Sequence, residues 1–197
     1  MNNIQNTTNK TKIFEEYIIL QKKSEKKNFN IQYYILGLFG EIGEVLNELK
    51  KFERDDNYIL TKKRKNNLIS ELGDCIWYIS AICNKIDYNI SNLLNEIYET
   101  SYNVYNDLSY KYSQSNKVDI PYKNFNNLII NSHFLSETIN NNNNNNNEDN
   151  IIYYLKKKNK EFKKLINTIL LICKIFNLNF VDLIIDNISK ISKNIGD

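Results

Sequence analysis

Between residues 31 and 52 the apolar side chains Ile35, Leu38, Ile42, Val45 and Leu49 recur three and four positions apart, the spacing of one buried stripe on an α-helix. A chain built from such stripes closes by packing helix on helix. The same periodicity begins near Ile13 in FEEYIILQKK, returns at Leu68, Leu72, Cys75, Ile79, Ile82 and Ile86, and continues in ISNLLNEIYETSYNVYNDL. Short polar breaks separate these runs: KKNFN, then ERDDNYILTKK with Thr61 as a candidate helix cap, then Asp87-Tyr88-Asn89. Short turns favour antiparallel neighbours, so a four-helix arrangement is expected by about Leu108.

At 197 residues the chain is expected to form one domain. Residues 1–12 are polar and read as a disordered N-terminus, and 13–109 as the first helical module. Residues 110–150 hold the only proline, Pro121, and an asparagine run from Asn140 to Asn147, and read as a low-complexity insert without a packed core. Periodicity resumes in IIYYLKKKNKEFKKLINTILLICKIF, breaks at Asn177-Leu178-Asn179 and ends in FVDLIIDNISKISK, so 151–197 is expected to be a helical hairpin on the same domain. The fold class is therefore all-α: an antiparallel four-helix-type bundle with a disordered Asn-rich insert and two further C-terminal helices. Residues 80–97 and 170–187 align without gaps at an offset of 90, with Cys83 on Cys173, Asn89 on Asn179 and Leu93 on Leu183. Duplication and convergence of two apolar hairpins both explain that echo.

Composition narrows the function by exclusion. The 26 basic and 23 acidic residues are spread along the chain, and the net charge of +3 gives no basic block for a nucleic-acid duplex. The wealth of Asn, Lys, Ile and Tyr reads as the mark of an A+T-rich coding sequence. Three cysteines, Cys75, Cys83 and Cys173, lie in apolar runs as free thiols do, without a disulfide framework or a CxxC site. No apolar leader and no run of about 18 apolar residues is present, so a soluble cytoplasmic protein without a membrane partner is expected.

Chemistry is carried by two acidic pairs, Glu41-x-x-Glu44 and Glu71-x-x-Asp74. Residues three apart share a helix face, so Glu41, Glu44 and Glu48 line one edge of the apolar stripe, and Glu71, Asp74 and Tyr78 line the matching edge of the next helix. Two acidic edges brought together repel unless a cation sits between them. All-oxygen donors suit Mg²⁺, which keeps positions for water and substrate phosphate and neutralises a polyphosphate undergoing hydrolysis. An E-x-x-E on a helix is ordinarily a solvated face. Here Gly37, Gly40, Gly43 and Gly73 flank the acids, and glycine costs about 1 kcal/mol in a helix interior, which implies close backbone approach. Only five glycines occur in the chain.

In GLFGEIGEVLNELKKFERDD and LISELGDCIWYISAI the sequence resembles the MazG-like branch of the all-α nucleoside triphosphate pyrophosphohydrolase superfamily, marked by E-x-x-E, a variable spacer and E-x-x-D. The resemblance covers about residues 13–95. It implies hydrolysis of a nucleoside triphosphate to monophosphate and pyrophosphate in nucleotide-pool house-cleaning, with Mg²⁺, or Mn²⁺ as substitute, held by Glu41, Glu44, Glu71 and Asp74. Glu48 is a further candidate ligand. It also implies a homodimer or homotetramer with sites between helices.

The family's next element carries an Asn and a Lys near the triphosphate, and there the chain departs: Ile97 and Thr100 occupy those places. The copy displaced by 90 restores them as Asn187 and Lys190, with Lys193 where an Arg is expected. In that copy Glu161 and Lys164 replace Glu71 and Asp74, so a second metal site is not expected. Lys50, Lys51 and Arg54 are either phosphate contacts or a solvated, dipole-favoured helix end. Tyr78 is the base-side candidate, Trp77 points to core or interface, and the lone His133 makes no zinc or di-iron motif. Two alternatives remain open: a catalytically lapsed helical binding module, and hydrolysis of a phosphoribosyl-nucleotide on the same fold.

Overall fold

The computed structural model describes residues 2–25, 27–97, 122–140 and 147–195. These form α1 (Asn2–Ser24), α2 (Ile31–Arg54), α3 (Lys62–Lys85), α4 (described over 90–97), α5 (Tyr122–Asn140), α6 (Glu148–Leu155), α7 (Asn159–Ile175) and α8 (Phe180–Ile195), with no β-strand among the described residues. The chain is all-α.

The first hairpin follows the sequence pattern closely. Asn30 caps α2, its side chain accepting from the Tyr33 N–H at 3.0 Å. The predicted stripe Ile35, Leu38, Ile42, Val45 and Leu49 is buried along it. Arg54 ends the helix, and Asn57 and Tyr58 turn the chain at φ 48° and 63°. A left-handed tyrosine is unusual; it is held by its N–H on the Phe52 carbonyl at 3.2 Å and by its ring standing edge-on to Phe52. Thr61 then caps α3 by accepting from the Arg64 N–H at 3.2 Å. α2 and α3 run antiparallel: Gly37 lies against Tyr78, and Glu48 against Asn67 and Arg64.

Three expectations about order need correction. α1 starts at Asn2 rather than near Ile13, because no Gly or Pro stands in residues 1–12 to stop the helix. The segment 110–150 contains α5, whose Phe125, Leu128, Ser132, Leu135 and Thr138 are buried at helical spacing, a stripe interrupted by too many asparagines to stand out. Asn140 ends α5 and Asn147 caps α6, its side chain accepting from the Asp149 N–H at 3.0 Å. The rest of the asparagine run and residues 98–121 lie outside the described residues. The long run from Ile151 is not one helix but α6 and α7, separated at Lys156–Lys158, where Lys156 and Lys157 face water.

The last helix crosses back to the beginning. α8 packs on α1, where Phe180 meets Phe14 at 6.3 Å between ring centroids, and on α3. α7 packs on α5 and touches α3, and α2 touches α5. No single described helix is long and apolar enough to cross a membrane.

Candidate metal centre

Glu41 on α2 and Glu71 and Asp74 on α3 each offer a carboxylate oxygen, and the three oxygens lie within 4.8 Å of one another. The apolar stripes press the two helices together, and the acids, a fraction of a turn away, are carried half into the interface. That position raises the affinity of Glu41 and Glu71 for protons. Partial burial, then the charges of Asp74 and Glu71, push the Glu41 carboxyl up to about 7, against the opposing pull of Lys190. Glu71 is also raised, by burial first and Asp74 second. Glu44 lies outside the trio: it is exposed, with Asn47 donating to Oε2 at 3.5 Å, although its charge is felt at both Glu41 and Glu71.

From the far end of the chain, α8 closes this group. Asn187 Nδ2 donates to Asp74 Oδ1 at 3.1 Å, and the Lys190 ammonium donates to Asp74 Oδ2. Gly73 makes the approach possible, since a Cβ there would meet Asn187 Nδ2 at 3.1 Å and Asn187 Cβ at 3.3 Å. Asn187 is 4% exposed and its Oδ1 is buried without a hydrogen-bond partner among the described residues. The three carboxylates, with this unpartnered acceptor on the residue that is hydrogen-bonded to Asp74, offer oxygen donors only, which fits a hard divalent cation. Lys193 is exposed farther along α8 and makes no contact with Asp74.

Gly37 serves the opposite flank. A Cβ there would lie 2.1 Å from Tyr78 Cε1, so the ring occupies the space a side chain would take. By contrast Gly40 and Gly43 face open space, and the close approach expected at all four glycines holds for two. Trp77 turns away from the acids, as expected, and donates from Nε1 to Ser24 Oγ at 3.0 Å while standing edge-on to Tyr78. Tyr33 and Phe29, stacked with centroids 4.0 Å apart, extend this aromatic wall around a cavity of about 320 Å³. Sequence reasoning passed over Tyr33, although it stands one helical turn before Gly37 and two before Glu41 on one edge of α2.

Glu48, a candidate ligand by position, lies outside the cluster. It is 3% exposed, and its carboxylate receives Arg64 and Lys51, with Asn67 Nδ2 donating at 3.0 Å. Burial alone would push its carboxyl up, but the hydrogen bonds from Lys51, Asn67 and Arg64 outweigh it and hold it below the ordinary range. Arg64 Nε also donates to Asp56 Oδ2 at 2.6 Å. Lys51 is thus directed at Glu48 rather than at the acidic trio, Arg54 pairs with Asp55, and Lys50 is exposed. Arg64 and Asp56 were missed from sequence because a basic first turn of a helix reads as solvated surface. His133 is exposed on α5 with Ser136 as its partner.

A helical hairpin that gathers three carboxylates from E-x-x-E and E-x-x-D, with a third helix laid across them, is suited to hold a divalent cation between its helices. Residues 29–103 match the family model of the MazG nucleotide pyrophosphohydrolase domain, over somewhat more than a third of the chain. The chain is also similar to the gene 37 protein of Mycobacterium phage L5, at 36% identity over 63 residues, 32% of this chain and 55% of the phage protein. It thus spans about half the length of the curated relative it matches. No solved structure matches.

Proposed function

We propose that the protein hydrolyses nucleoside triphosphates to nucleoside monophosphate and pyrophosphate in a Mg²⁺-dependent reaction, as a cytoplasmic house-cleaning enzyme of the nucleotide pool. The carrying observation is the carboxylate trio of Glu41, Glu71 and Asp74, closed by Asn187 and Lys190 from α8. The trio, with Asn187 Oδ1 and with Glu44 one turn beyond Glu41, would hold the cation; Mn²⁺ meets the same donor set. Such a cation neutralises the polyphosphate and favours deprotonation of water.

The chain's own residues account for the rest. The Lys190 side chain is half exposed, so its ammonium can leave Asp74 for a phosphate oxygen without leaving α8. Asn187, anchored by Gly73, keeps α8 in register with α3. Tyr78 and the aromatic wall behind it give a flat apolar face for a base, at a distance from the acids set by one turn of α3. The MazG-like match supports the reaction class, and the phage relative's name adds nothing about substrate.

Pyrophosphate release from a nucleotide panel, with and without Mg²⁺, tests the proposal. Release is expected only with the metal, with a loss on the order of 100-fold or more in Glu71→Gln and Asp74→Asn. Absence of turnover by the unaltered protein, or unchanged turnover in both variants, overturns it. Metal-dependent thermal stabilisation without turnover would instead assign a lapsed binding module, and turnover confined to phosphoribosyl-nucleotides would assign that substrate class.

A further inference from the structure

The match between the two halves of the chain extends well past the hairpin echo seen in the sequence. At the same offset of 90, α3 ends at Lys85 and α7 at Ile175, while α4 begins at 90 and α8 at Phe180. The turns between them are the same turn. Asp87 and Asn177 adopt φ 54° and 49°, and the next residues, Tyr88 and Leu178, donate to the carbonyls of Cys83 and Cys173 at 2.9 and 2.6 Å. Asn89 and Asn179 each cap the following helix, accepting from the N–H of Asn92 and of Val181. Two unrelated amphipathic hairpins share a stripe, but left-handed residues and caps at one common offset are a stricter coincidence.

Burial follows the same register in α2 and α5: Ile35 with Phe125, Leu38 with Leu128, Val45 with Leu135. α3 packs on α2 as α7 packs on α5, while α2 meets α5 and α3 meets α7, as an approximate two-fold axis requires. The exchange of final helices is reciprocal too. α8 lies on α3 through Asn187 and Lys190, and α4 lies by α7 through the Glu96–Lys163 ion pair. The register fails where the chemistry lies. In the second half Glu41 becomes Asn131, which donates to Thr168 at 2.8 Å, and exposed Glu44 becomes Phe134, buried edge-on against Phe162. Asp74 becomes Lys164, and Asn187 becomes buried Ile97. Among the described residues no carboxylate cluster forms there.

We propose that residues 122–187 are a silenced second copy of the module at 32–97, retained as its docking partner and, with the rest of α8, as the donor of the closing helix, so that one chain forms the two-copy unit. The partner that completes the metal site is then the chain's own second half, and the two-subunit assembly implied by the family resemblance is housed in a single polypeptide. This rests on the metal-site reading above.

Two measurements on the full chain test it. The Gly73 Cβ would lie 3.3 Å from Asn187 Cβ, close to the spacing of about 3.5 to 4.5 Å that a disulfide needs. Oxidised Gly73→Cys/Asn187→Cys chains are expected to run as a cross-linked 23.4 kDa monomer on a non-reducing gel; covalent dimers would place α8 on another chain and overturn the proposal. Mn²⁺ titration does not depend on that variant folding. It is expected to show one site per chain, weakened at least tenfold by Glu71→Gln and unchanged by Glu161→Gln. Two sites per chain, no site, or a loss caused by Glu161→Gln overturns the silenced copy. Should this pattern hold without pyrophosphate release from any nucleotide, the hydrolase reading falls and the paired-copy architecture stands.

Discussion

Partial burial first, and the carboxylates of Asp74 and Glu71 second, raise the proton affinity of Glu41. Its value in the folded chain, about 7, lies above the ordinary 4.5, so between those values the folded state binds more protons than the unfolded one. Stability of the metal-free protein from this group is therefore present below pH 4.5 and is lost as pH rises toward 7. Thermal melts of the metal-free protein are expected to show that decline relative to Glu41→Gln, while cation affinity rises over the same window because the ligand must ionise. Equal pH slopes in the two proteins would contradict the assignment. The glycines make a second contrast at this scale. Gly37→Ala forces a Cβ into the Tyr78 ring and is expected to cost about 1–3 kcal/mol. Gly40→Ala, with open space around it, is expected to stabilise by up to about 1 kcal/mol in denaturant titration. The sequence marked both glycines alike, since composition cannot say which way a helix edge faces.

At the scale of elements, the α2–α3 hairpin is held in register by more than its apolar stripes. Glu48 on α2 and Arg64 on α3, with Asp56 from the connection, form a buried ionic network at the end of the hairpin opposite Gly37 and Tyr78. Removing one partner leaves the other charged and buried, so Arg64→Met is expected to cost about 3–5 kcal/mol in urea unfolding. Glu48→Gln should cost less, because an amide still accepts from Arg64. Equal stability of Arg64→Met and the unaltered protein would show the network to be solvated. These side chains were legible only as a charged helix edge: a ligand and an ion-pair partner have the same spacing on a helix. Element boundaries at Thr61, Asp87 and Asn177 were readable because caps and left-handed turns are encoded locally. The helix α5 was not, because its burial depends on α2 and α7, which the local sequence does not contain.

For the whole molecule, the decisive helix is the last one. α8 packs on α1 and α3 at once and carries Asn187 and Lys190 to Asp74. Leu183 on its inner face is fully buried. Leu183→Ala is expected to lower global stability by about 2–5 kcal/mol, in a single transition monitored both by Trp77 fluorescence and by far-ultraviolet circular dichroism. The same change should weaken Mn²⁺ binding, although Leu183 is not a ligand, because α8 can no longer hold Asn187 against Gly73. Separate transitions for the two probes would show the halves folding independently. Read alone, the sequence determined the helical class, the first hairpin, the four acids and the place of Asn187 and Lys190 as candidates, since periodicity, caps and residue chemistry act over a few turns. The tertiary structure decided that Glu41, Glu71 and Asp74 form the trio while Glu44 stands outside it, that Glu48 is a structural anion, and that α8 reaches Asp74 across more than a hundred residues. Those are matters of which surfaces meet, and contact between distant segments is set by packing of the whole chain rather than by any stretch of it.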